Sequence, residues 1–332
     1  MVTHMTNESA GRVGAIVAEQ VRYHYGRSPA LDGIDLSIPE GATYAMIGPN
    51  GGGKTTLLHI LMGLRRASDG QARVLGHDCS ARVMGLRQSI GYVAEGQQLP
   101  RWMRIGEYER YLQPLYRSWD VTLAGQLRTR FALDPARKLG ALSRGEYMKA
   151  ALLFALAPHP KVLIMDEPFT GMDVSVKDEL VRGLLDSASP DGCTTLVSSH
   201  DLAELEPLAD WVGFLANGKL QLSDSLERVN SRFLHVDLML GATMNESRNA
   251  SSALFDDAWL NVQRSGRHVS FVVPNAEVDF ERAVLARRFP DATGVETRAA
   301  TLREIFLALS QRSRTEAADV GGAAVKGVEA AA

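Results

Sequence analysis

Gly48-Pro49-Asn50-Gly51-Gly52-Gly53-Lys54-Thr55 fits the pattern G-x-x-x-x-G-K-[ST]. Glycines let a backbone curl tightly, so that successive N–H groups can point inward at phosphate oxygens. A helix that starts just after the loop adds partial positive charge at the same place. In such a loop Lys54 reaches the β- and γ-phosphates and Thr55 offers a hydroxyl to Mg²⁺, with Thr56 counted in the same turn. A second group is Val162-Leu163-Ile164-Met165-Asp166-Glu167. Its four apolar residues read as a buried strand that delivers two adjacent carboxylates at its end. Asp166 is placed to hold Mg²⁺ through a hard oxygen contact. Glu167 is then available as the base or orienting group for an attacking water.

These groups need strands and helices to hold them. Short β-type runs at 15–25, 34–38 and 43–47 precede the glycine loop, and a helix is expected from Gly53 to Met62, with Leu57, Leu58, Leu61 and Met62 at helical spacing. From Ile105 to Ala157 the pattern is helical almost throughout. Strands return at 162–165, 194–198 and 211–215, with helices around 174–186 and 202–208 between them. Strands that alternate with helices imply parallel βαβ units and a sheet covered on both faces. After about Asn230 the texture changes to a small α+β pattern: strands at 233–240 and 268–273, helices at 280–288 and 302–309. The ends, residues 1–12 and 313–332, read as flexible and disordered tails, the last rich in Ala and Gly without periodicity.

Two more motifs fall in order along the chain, and with them the sequence resembles the nucleotide-binding subunit of an ATP-binding-cassette (ABC) transporter. Leu142-Ser143-Arg144-Gly145-Glu146 is similar to the family's signature loop, opening a helix just before the Asp166 strand. Ser198-Ser199-His200 is similar to its switch-histidine motif, and Gly171-Met172-Asp173 to the loop after the catalytic glutamate. Tyr25 fits the aromatic residue that stacks on adenine. The resemblance covers roughly residues 15–230 and implies a P-loop α/β cassette: a mainly parallel core sheet, an antiparallel β subdomain and a helical subdomain over about 96–158, in an ATPase domain spanning 13–230. A small α+β accessory domain, 231–312, follows.

The resemblance also implies roles. ATP and Mg²⁺ are the expected cofactors, with Thr55, Asp166 and Glu95 toward the metal and Glu167, His200 and Lys54 as the catalytic set. Ser143 and Gly145 would complete the ATP site of an opposing subunit, so that ATP joins two cassettes head to tail, and Asp173 would couple the two sites. A complete motif set favours a homodimer over a heterodimer. Two departures stand out. The family often places glutamine where this chain has Glu95, and Gln97 or Gln98 is the alternative occupant of that role; Arg144 and Glu146 replace the commoner Gly and Gln of the signature.

Composition bounds the partners. The 332 residues allow about two domains, at roughly 150 residues each. With 36 Lys plus Arg against 39 Asp plus Glu, the net charge of −3 argues against a surface built to grip nucleic acid. Two cysteines, Cys79 and Cys193, make neither a disulfide framework nor a four-cysteine zinc site. The longest apolar run, Ala150 to Ala157, is far short of a membrane span, and the N-terminus lacks the apolar core of a secretory signal. With no such segment, the resemblance implies a cytoplasmic chain, peripheral on the inner face of the cell membrane through a separate permease chain. Glu95, the 111–120 segment (resembling a Leu-Tyr-x-x-Trp-Asp pattern in cassettes of antibiotic and peptide exporters) and residues 301–306 favour export. The resemblance implies a groove here for a helix of the membrane subunit; Trp102 and Met103, between Arg101 and Arg104, suit such docking, and a buried helix start is the alternative reading. The competing reading is a non-transport ABC ATPase acting on ribosomes or DNA; members of that kind usually carry two cassettes or a coiled coil, and this chain shows one motif set and no heptad run. A P-loop kinase or GTPase leaves residues 142–146 unexplained.

Overall fold

The computed structural model describes residues 14–81, 84–94, 96–187, 192–241, 255–256, 258–274 and 284–313. The chain opens with an antiparallel hairpin of β1 (Ile16–Tyr25) and β2 (Ser28–Ile38), turned at Gly26. β3 (Thr43–Ile47) and α1 (Lys54–Leu61) follow, and α1 buries Leu57, Leu58 and Leu61 completely. Each such side chain is worth about 1.5–3 kcal/mol relative to exposure. β4 (Asp69–Val74) and β5 (His77–Asp78) then join the hairpin in a four-stranded sheet of order β2-β1-β4-β5.

The middle of the chain is α2 (Met84–Gln88), β6 (Ile90–Ala94), α3 (Ile105–Leu112), α4 (Val121–Arg130) and α5 (Arg144–Leu156). Next come β7 (Val162–Asp166), α6 (Val174–Ser187), β8 (Thr194–Ser199), α7 (Leu202–Leu205), β9 (Trp211–Ala216) and β10 (Lys219–Ser225). The second sheet has the order β10-β9-β3-β8-β7-β6, with β9/β3, β3/β8, β8/β7 and β7/β6 all parallel. All five residues of β7 are buried, as expected of a parallel strand covered on both faces. Ile47 pairs with Ser199, and Asp166 with Ser198. The loops that leave β3, β7 and β8 therefore start side by side at the carboxyl edge of the sheet, where open α/β folds bind ligands.

The second compact unit begins at Asp224. It contains α8 (Leu226–Arg232), β11 (Phe233–Met239), β12 (Leu260–Ser265), β13 (His268–Pro274), α9 (284–288), β14 (Thr293–Ala299) and α10 (302–313). Its sheet has the order β12-β13-β11-β14, with every neighbouring pair antiparallel. One face buries Leu234, Val236 and Leu238 under an aromatic group in which Trp259 stacks on Phe271 at 4.4 Å.

Some local expectations need correction. β4, β5, β10, β12 and β14 are strands without a clear sequence signal, and α7 is a single turn rather than a helix to Leu208. α10 continues past Leu309 and buries Ser313, which composition alone places in a tail. The expected tails at 1–12 and 314–332, residues 280–283 of an expected helix, and Glu95 lie outside the described residues.

Candidate nucleotide site

The glycine loop runs from the end of β3 into α1. Gly48 packs so tightly on β9 that a Cβ there would fall 1.9 Å from the Leu215 carbonyl oxygen. Gly53, at φ 108°, occupies the left-handed region and caps α1 without a side chain. The first-turn amides thus have no capping side chain and remain disposed toward an anion. Pro49, Asn50, Gly51 and Gly52 span the loop between them, with the Gly52 amide donating to Pro49 O at 3.1 Å. Thr55 is exposed at the first turn, and Thr56 is buried.

Lys54 is buried, and its Nζ donates to Gly48 O at 2.7 Å and Pro49 O at 3.2 Å. The same ammonium lies 3.1 Å from Glu167 Oε1. Glu167 Oε2 in turn accepts from Thr170 Oγ1 at 3.2 Å and faces His200 Nδ1 at 2.7 Å. The Glu167 amide is held by Ser198, at 3.1 Å to Oγ and 3.2 Å to O. Ser198 Oγ also donates to Asp166 Oδ1 at 2.6 Å, so one hydroxyl ties together the two neighbouring acids. Burial alone would push the Glu167 carboxyl up; the His200 hydrogen bond and the Lys54 charge outweigh it and hold the group below its ordinary range. Lys54, Asp166, Glu167 and His200 therefore form one cluster, the lysine from the head of α1 and the other three from the ends of β7 and β8.

Tyr25 ends β1, with its hydroxyl 3.3 Å from Thr56 Oγ1 and 48% of its surface open. Ser143 caps α5 in a reciprocal box: Glu146 N donates to Ser143 Oγ at 3.3 Å, and Ser143 N to Glu146 Oε2 at 2.8 Å. Arg137 pairs with the same Glu146 carboxylate. This explains the Glu in the signature-like loop, since it completes the cap and takes the Arg137 charge. A Cβ on Gly145 would lie 2.8 Å from Val176 Cγ1 of α6. Among the described residues, the hydrogen bonds of Ser143 run to Glu146 and Tyr147 in the first turn of α5 and not to the Lys54 cluster. Asp173 precedes α6, its carbonyl accepting from Val176 and Lys177 at 3.1 Å. Gln97 turns its side-chain oxygen back to the Ala94 amide at 3.3 Å. Cys79 and Cys193 are held by burial at thiol pKa values of about 12 and about 11, so neither is a nucleophile near neutrality.

Ser198 is visible in the sequence only as part of a motif, and its double role emerges once β7 and β8 pair. The donor set suits Mg²⁺: Asp166 is a nearly buried carboxylate and Thr55 an open hydroxyl, both hard oxygens at the mouth of the phosphate loop.

A glycine cradle, a buried lysine and paired acids at the carboxyl edge of a parallel sheet define a P-loop nucleotide-binding cassette. Residues 31–170 match the family described as ABC transporter. The sulfate/thiosulfate import ATP-binding protein CysA of Salmonella typhi is 31% identical over 224 residues, 65% of this chain and 61% of that protein. The chain thus spans 61% of the length of that relative. The lantibiotic transport ATP-binding protein SrtF of Streptococcus pyogenes is 31% identical over 205 residues, 61% of this chain and 88% of that protein. A dimeric ATP-binding cassette solved in a post-hydrolysis state with ADP and Pi shares the fold, with a TM-score of 0.57 at 23% identity, over 64% of this chain and 98% of that one. The chain belongs to the ABC transporter family. No helix among the described residues is long and apolar enough to cross a membrane.

Proposed function

We propose that the chain hydrolyses ATP as the motor subunit of an ABC exporter, closing as a homodimer around ATP to drive a separate membrane permease from its cytoplasmic face. The observation that carries it is Glu167, held at a buried strand end between Lys54 and His200. In this reading the first compact unit, read from the sequence as residues 13–230, is the ATPase domain, and the unit from Asp224, read as 231–312, an accessory domain. Lys54 leaves Glu167 and the loop carbonyls for the β- and γ-phosphates of ATP, so substrate binding itself releases the base. Glu167 then orients the attacking water and accepts its proton. His200 fixes the Glu167 carboxylate and faces the γ-phosphate. Thr55 and Asp166 would hold Mg²⁺, which offsets charge on the phosphate oxygens; the assignment of Glu95 to that metal stays a proposal from sequence. Tyr25 stacks on adenine, the 48–56 segment wraps the phosphates, and Ser143, Gly145 and Asp173 act across the dimer.

Trp102, 75% exposed between two arginines, fits a docking point for the permease. Export is supported by Glu95 and the 111–120 segment; SrtF, whose name specifies lantibiotic transport, fits that direction, whereas CysA is named for import. Affinity purification from detergent-solubilised cells tests the assembly: a multi-span membrane protein should co-purify in the presence of ATP. A chain recovered without any membrane partner would sink the transport reading. Deletion that sensitises cells to a peptide or antibiotic supports export, and loss of nutrient uptake instead refutes it.

A further inference from the structure

Tyr25 is fixed from several sides. Arg65, in the turn after α1, places its guanidinium carbon 5.0 Å from the Tyr25 ring centroid and 5.7 Å from that of Tyr23. Arg65 Nη1 donates to the Tyr23 hydroxyl at 2.9 Å, and the Arg65 amide donates to His59 O at 3.1 Å. Tyr23 meets Tyr25 edge-on, centroids 5.0 Å apart and planes at 76°. The far end of the Tyr25 ring is tied to Thr56. A half-exposed tyrosine without such contacts would sample several rotamers and would have to be ordered each time a ligand stacked on it. Here the ordering is complete beforehand, and the residue's open surface remains available.

We propose that Arg65 is a positioning residue for the base of the bound nucleotide, acting through Tyr25. It locks the ring in place. As a cation over one face, it also draws π density away from the other, which strengthens stacking on an electron-rich purine. The contact is specific to this chain's arginine: a lysine lacks the planar fork that bonds Tyr23 while covering Tyr25. The inference rests on the reading of Tyr25 as the base platform, and it adds a residue that sets how much of the affinity comes from the base.

The test is calorimetric titration of the full chain with Mg-ATP and, separately, with Mg-tripolyphosphate, which has the phosphates and no base. Arg65→Met should weaken ATP binding about two- to ten-fold, the cost of ordering one side chain on binding, and leave tripolyphosphate affinity unchanged. In steady state the KM for ATP should rise by the same factor at constant kcat. Arg65→Lys should recover part of the loss. In a Tyr25→Leu background, Arg65→Met should add nothing, because the two residues act as one unit. An Arg65→Met variant that binds ATP as wild type overturns the proposal. So does one that weakens both ligands equally, since that reports damage to the fold, or one that still weakens ATP when Tyr25 is gone. If Tyr25→Leu alone binds ATP as wild type, it is the platform reading that has failed, and the role of Arg65 falls with it.

Discussion

Glu167 adopts φ 50°, a left-handed conformation that costs a non-glycine residue about 1–3 kcal/mol. The cost is offset by what the twist achieves: the amide turns to Ser198 while the carboxylate turns to Lys54, Thr170 and His200. Because its pKa is depressed, the carboxylate is ionised through the neutral range and protonates only as pH falls below the ordinary carboxylate value. The His200 hydrogen bond is the strongest of the contacts that counter burial, so without it the pKa must rise. His200→Ala should therefore move the acid limb of the kcat/KM–pH profile, which reports the free enzyme's groups, to higher pH, in addition to lowering the plateau. A plateau that falls with the acid limb unmoved would mean that His200 does not tune Glu167.

At the scale of elements, Tyr147 joins the segment after β6 to the helix that Ser143 caps. Its hydroxyl donates to Gln97 O at 2.6 Å and accepts from the Leu99 amide at 2.5 Å. Tyr147→Phe leaves both backbone groups without that partner, at about 1 kcal/mol each way. Hydrogen exchange should show the Leu99 amide opening faster, with the core of α5 unchanged; equal exchange in both proteins would mean that the bond contributes no protection.

Glu304 does comparable work in the second unit, accepting both Arg298 nitrogens, at 2.9 and 2.6 Å, and the Thr301 amide at 2.8 Å at the start of α10. Arg298 above all holds its pKa at about 2. Since the folded value is depressed from 4.5, its stabilisation is present above that pH and fades as pH falls toward about 2. Glu304→Gln keeps the cap geometry and loses the charge. For so exposed a pair it should cost about 1 kcal/mol at pH 7 in denaturant melts, the gap closing by pH 2. A gap that persists at pH 2 would assign the loss to packing.

The elements differ in how legible they are in the sequence. β7 announces itself because a strand buried on both faces must be apolar throughout. β4 and β14 do not: their sequences, DGQARV and TGVETRA, are polar, with only Ala72 and Val74 of β4 buried and none of β14. They are strands because β1 and β11 offer them edges. The motifs place Lys54, Asp166, Glu167 and His200 because Lys54 opens the helix after the glycine loop and the others sit at strand ends, each fixed by its own neighbours in sequence. Arg65 and Tyr147 work through partners 42 and 50 residues away, and no local spacing encodes such contacts.

At the scale of the whole molecule, the lysine cluster is complete within one chain, whereas Ser143 sits exposed at the head of α5 with its hydrogen bonds spent on its own cap. A helix N-terminus of 13 residues carries partial positive charge and suits a phosphate, provided that the phosphate is brought to it. The net charge of −3 gives two copies no general attraction, so the proposed dimer would depend on local contacts and on ATP held by Lys54. Hydrolysis would then dissolve the contact as fast as it forms. Glu167→Gln removes the proton acceptor and should slow hydrolysis about 100-fold or more. It should also leave Lys54 free of a competing carboxylate charge, so ATP binds at least as well as in wild type. With Mg-ATP, the variant should therefore elute as a dimer on size exclusion with light scattering and return to monomer when EDTA is added. Adding Lys54→Ala should abolish the dimer at the same ATP concentration. If the Glu167→Gln protein stays monomeric while ATP binding is demonstrated in the same sample, the nucleotide does not bridge two copies, and the signature-like loop must serve something other than a partner's phosphate.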